Sequence, residues 1–103
     1  MIRSRARNNL FHVRKTPLLT GFRPTFQFIP QTYTSGSIQL LDREEFHPGE
    51  SGSVEIWFSV PESLGDDFRA GKRFTFGEGP HVLGDGVVEE ILDSELKPTA
   101  TNF

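Results

Sequence analysis

The sequence has no cysteine. That one absence excludes disulfides, thiolate zinc sites and cysteine nucleophiles. It fits a reducing compartment, and a cytoplasmic location is the expectation. No apolar run approaches the ~20 residues that a membrane-spanning helix needs. The arginines near the start are not followed by an apolar segment, so no secretory signal is expected. Aromatic residues other than phenylalanine are scarce: one Trp and one Tyr stand beside ten Phe, a composition for packing. Acidic residues are missing from the first 41 positions, which hold six basic residues and a charge of +6. Positions 42–103 hold five basic and fourteen acidic residues, a charge of −9, giving the net −3.

What is present reads as a small all-β domain. A chain of 103 residues implies one domain, and one of this size buries roughly 65% of the surface its unfolded chain exposes. Ten glycines and seven prolines supply turns for many short strands. In GFRPTFQF, Phe22, Pro24, Phe26 and Phe28 fall on one face, and Arg23, Thr25 and Gln27 on the other. In IRSRARNN, Arg3, Arg5 and Arg7 share one face, opposite Ile2, Ser4 and Ala6. Further strands are expected over 37–41, 53–60, 72–76 and 87–92. The segment 30–36 reads as a turn region, and Pro48-Gly49 as the centre of a type II turn. Segment 61–71 reads as a loop with room for one helical turn, GEGPHVLGDG as a hairpin or bulged region, and 93–103 as a tail with little to bury. Six strands joined by turns imply a six-stranded antiparallel β-barrel.

Catalytic patterns fail on their mechanics. Gly77 and Gly79 begin no G-x-G-x-x-G, and no helix follows to hold a pyrophosphate. Ala-Gly-Lys-Arg at 70–73 lacks the hydroxyl residue that would bind magnesium. His12, His47 and His81 lie far apart in sequence, without ligand spacing. The acidic pairs Glu44-Glu45, Asp66-Asp67 and Glu89-Glu90 place neighbouring carboxylates on opposite strand faces. No enzyme activity, cofactor or bound nucleotide is expected. The arginine row on 2–9 needs anions across from it. Acids of the second half and phosphates both satisfy that need.

Several phrases together resemble the C-terminal barrel, domain III, of translation elongation factor Tu. Arg14 to Pro17 is similar to its Arg-His-Thr-Pro, and Gly21 to Phe28 to its Gly-Tyr-Arg-Pro-Gln-Phe. Ser35-Gly36 stands at its Thr-Gly, and Pro48-Gly49-Glu50 at its Pro-Gly-Asp turn. Glu78-Gly79, followed by Gly84 to Val88, resembles its Glu-Gly-Gly-Arg-Thr-Val-Gly-Ala-Gly-Val-Val. The order is collinear over residues 1–92. Val13, Thr25 and Pro80-His81 depart from the pattern, the last removing a positive charge.

The resemblance implies a barrel that, in the full factor, packs beside a GTPase domain and touches the T-stem backbone of aminoacyl-tRNA. On that basis Arg14, Lys15, Thr34, Ser35, Glu78 and Gly79 are the implied RNA contacts. Arg3, Arg5 and Arg7 join them from the charge pattern. The expected function is a translation-related binding module for tRNA or other structured RNA. The other reading is a protein-interaction module that imitates the factor's barrel as decoy, regulator or immunity-type protein. Its contacts would be outward Trp57, Arg23, and Asp66 and Asp67 of the 64–71 loop.

Overall fold

The structure, a computed structural model, describes residues 2–13, 15–59, 64, 65 and 67–93. Among these residues the strands are β1 (Ile2–Leu10), β2 (Thr25–Ile29), β3 (Thr32–Leu40), β4 (Ser51–Phe58), β5 (Arg73–Glu78) and β6 (His81–Asp93). They close in the order β1-β4-β3-β2-β5-β6, every neighbour antiparallel. The expected six-stranded antiparallel barrel is the fold. Among the described residues no helix is long and apolar enough to cross a membrane. The proposed tail after Asp93 lies outside the described residues.

Alternation builds the interior. On β1, Ile2, Ser4, Ala6, Asn8 and Leu10 are buried, and the arginines between them are not. These mostly small side chains leave room for a phenylalanine cluster. Phe26 lies 5.1 Å from Phe58, 5.8 Å from Phe74 and 6.1 Å from Phe76, ring centre to ring centre. The first two contacts are edge-on, the arrangement a ring quadrupole favours.

The connections plug the barrel. Leu18, between β1 and β2, bridges Phe46, between β3 and β4, and both are fully buried. At the other end Leu64 and Phe68 are buried, with Phe68 edge-on to Phe28 and Phe58. The described part of the connection expected as a loop thus contributes Leu64 and Phe68 to the core.

Most strand limits shift by one to three residues, and two strand starts move by five or more. β3 starts at Thr32, so only Pro30-Gln31 remains as the β2–β3 turn. Gly36 suggested a turn but serves packing: a Cβ there would lie 2.9 Å from the Phe26 ring. β6 starts at His81, which makes Gly79-Pro80 the tip of a tight hairpin, with a bulge between Phe76 and Gly77. The Pro48-Gly49 turn forms as expected, Glu50 N–H donating to the His47 carbonyl at 3.0 Å.

Gln31 has φ +63°, left-handed backbone that glycine adopts far more easily. Gln31→Gly is expected to stabilise the fold by a few tenths to about 1 kcal/mol, strain relief outweighing the entropy glycine adds to the unfolded chain. A urea midpoint that fell would contradict this.

Candidate nucleic-acid interface

Strand register sorts the outward side chains into rows across the wall. One row runs Glu55–Arg5–Glu90. The next runs Ser53–Arg7–Val87–Arg73. A third runs Ser51–Asn9–Asp85–Thr75–Gln27. Residues 10 to 85 positions apart thus become neighbours about 4.8 Å away across the strands.

The three β1 arginines have different fates. Arg3 Nη1 lies 3.3 Å from Glu55 Oε1, which also accepts the Trp57 indole N–H at 2.6 Å. Arg5 Nη2 lies 2.8 Å from Glu90 Oε1, and its Nε 3.5 Å from Glu89 Oε1. For these two, acids of the second half are the anions that the sequence left undecided. The expectation that Glu89 and Glu90 face opposite ways is corrected. A register shift opposite Arg5-Ala6 bulges β6, and both glutamates are exposed and reach Arg5. These pairs are part-exposed, so Arg5→Ala is expected to cost no more than about 1 kcal/mol. Urea unfolding at low and high salt measures this.

Arg7 is exposed and has no ion pair among the described residues; the same holds for Arg73. They stand on either side of Val87, with Cα atoms about 10 Å apart by strand spacing. The chain before β5 is zipped onto β6: Gly71 N–H donates to Val88 O at 2.7 Å, and Val88 N–H to Lys72 O at 2.8 Å. This brings exposed Arg69 and half-buried Lys72 toward the strip. Lys72 is held by Asp67 at 2.9 Å. Sequence reasoning missed Arg73 and Arg69. Alternation with inward Phe74 already put Arg73 outside, but only register places it beside Arg7.

The other expected contacts do not gather in one place. Arg14 and Asp66 lie outside the described residues. Lys15 is exposed, on a connection that leaves β1 beside β6, where Phe11 N–H donates to Leu83 O at 2.9 Å. Glu78 and Gly79 are exposed at the β5–β6 hairpin, at that same end. Thr34 and Ser35 lie within β3 and not in a turn. Thr34 is buried opposite Phe26, its hydroxyl without a hydrogen-bond partner, and only Ser35 is exposed. Arg23 is exposed just before β2. Trp57 faces outward as expected and is 37% exposed.

The β3–β4 connection is acidic. Asp42 is held below the usual carboxylate range by its hydrogen bond from Arg43, and Glu50 by the His47 backbone N–H. Lys72 lowers Asp67 in the same way. Because the folded values are depressed, the stabilisation is present above the unfolded range near ~4 and is lost as pH falls through the lower folded values. Thermal midpoints are expected to be flat from about pH 8 to about 5 and to drop below about 4. No protein-family model matches the chain.

Proposed function

We propose that this chain is a non-catalytic, translation-related module that binds structured RNA, tRNA-like in form, by phosphate contacts on the Arg7–Arg73 strip. The observation that carries the reading is the contrast along one wall. Arg3 and Arg5 are neutralised by carboxylates, whereas Arg7 and Arg73, exposed on one row, have no ion pair among the described residues. The resemblance to the elongation factor Tu barrel supports the same partner, since contacts to an RNA backbone read shape and not sequence. Lys15 would add a contact from the neighbouring end.

Three or four phosphate contacts predict a steep salt response. Affinity for tRNA should fall roughly 40- to 150-fold between about 50 and about 200 mM salt. Absence of binding at the lower salt would overturn the reading. The partly exposed Trp57 favours the second reading, a protein-interaction module with Arg23 and Asp67 nearby in function. Capture of a translation-associated protein in place of RNA, lost in Trp57→Ala, would select it.

A further inference from the structure

The wall beyond Arg73 contains an open groove. β2 and β5 stay paired from Thr25↔Gly77 to Gln27↔Thr75, where their register ends. Between the end of β2 and strands β5 and β6 lies a groove of about 610 Å³. Gln27, Gln31, Thr75 and Asp85 supply its polar groups, Arg73 its cation, and residues such as Ile29 and Pro30 its apolar lining. Gln27 and Thr75 also line a much smaller hollow reaching Tyr33 and Val82, which are 52% and 44% exposed. The two hollows are therefore one surface. Gln31, the residue with left-handed backbone, contributes to it.

We infer that this surface receives an unpaired nucleotide of the bound RNA, its base against Tyr33 and the groove and its phosphate at Arg73. The inference deepens the RNA reading and rests on it. A nucleotide carries a flat apolar face, an edge of mixed donors and acceptors, and an anion to one side. The wall offers a counterpart to each. Tyr33 presents an exposed ring on which any base can stack. The Gln27 and Gln31 amides and the Thr75 hydroxyl both donate and accept. Arg73 stands two residues along β5 from Thr75, about 6.6 Å away, with no ion pair among the described residues to compete with a phosphate.

Asp85 refines the choice of base. Its carboxylate accepts from Asn9 Nδ2 at 2.8 Å, which holds it in place on the row beside Thr75. A carboxylate repels a phosphate and accepts from an exocyclic amine. Adenine, cytosine and guanine have such an amine and uracil has none. Uracil can offer this carboxylate only its ring N3–H, so the groove favours the three bases that carry an exocyclic amine.

The test follows the Gln27 and Gln31 side-chain amide signals by NMR while each of the four nucleoside 5′-monophosphates is titrated into the whole chain. At least one of the adenine, cytosine and guanine nucleotides should shift both signals with a dissociation constant on the order of millimolar. The uracil nucleotide should bind roughly fivefold more weakly, the worth of one net hydrogen bond. Nucleosides should bind more weakly than their monophosphates, a difference that disappears in Arg73→Ser. Thr75→Trp should fill the groove and abolish the shifts. If that variant does not fold, the nucleoside comparison in Arg73→Ser decides alone. The inference is overturned if no nucleotide moves the glutamine signals, or if inorganic phosphate reproduces every shift. It is equally overturned if only short peptides enter the groove. Salt-sensitive tRNA binding without nucleotide shifts would leave the RNA reading intact and sink the groove. Nucleotide shifts without tRNA binding would do the reverse.

Discussion

Phe26→Ala should remove about 3–5 kcal/mol of stability, the largest loss expected from any single truncation in this barrel. Phe26 is fully buried and within reach of Phe58, Phe74 and Phe76. Its ring therefore loses both transfer energy and edge-on contacts. The space left is bounded by strand backbone that closes on itself, so collapse is restricted. A domain this size has roughly 5–14 kcal/mol in total. The midpoint should fall by roughly 12–40 °C, taking about 4–8 °C per kcal/mol. A loss below about 1.5 kcal/mol would show that the interior refills. Phe11→Ser is the milder comparison: Phe11 is 38% exposed and its loss should cost about 1–2 kcal/mol. The opposite perturbation tests the same packing. At Gly86 a Cβ would lie 2.5 Å from Phe74 Cζ and 2.6 Å from Asn8 Oδ1, so Gly86→Ala should cost about 1–3 kcal/mol by overfilling.

Reversing Arg7 and Arg73 together to glutamate should lower tRNA affinity at about 50 mM salt by at least roughly two hundredfold. Each lost phosphate contact is worth about fifteenfold at that salt, and repulsion from the new carboxylates adds to it. The slope of log affinity against log salt should flatten by about 1.8, two contacts at ~0.9 each. Arg5→Ser provides the contrast. It frees Glu89 and Glu90, which weakens RNA binding through local repulsion but leaves the phosphate count, and so the salt slope, nearly unchanged. If Arg5→Ser flattens the slope as much as loss of Arg7 does, the strip has been placed wrongly. Stability should distinguish the variants in the other direction, because Arg7 and Arg73 have no ion pair among the described residues to lose.

Much of the fold was legible in the order of residues. A strand turns each successive side chain to the opposite face, so period two assigned Phe26, Phe28, Phe74 and Phe76 inward and Arg3, Arg5, Arg7 and Trp57 outward. Pro48-Gly49 specified its turn because proline and glycine restrict and release φ locally. These are properties of neighbours in the chain. The candidate site is not. Which anion meets Arg5 depends on the register of β1 against β6, and on a bulge that brings two adjacent glutamates to one side. That Arg7 faces Arg73 across Val87 depends on two strand pairings joining residues 66 positions apart. Gly36 looked like a turn because its close approach to Phe26 is invisible until β2 and β3 pair. Leu18, Phe46, Leu64 and Phe68 lie in connections without periodicity, and barrel closure alone makes them core. Alternation is set by local backbone geometry and can be read along the chain. Register, bulges and end plugs are set by long-range packing, and only the closed barrel resolves them.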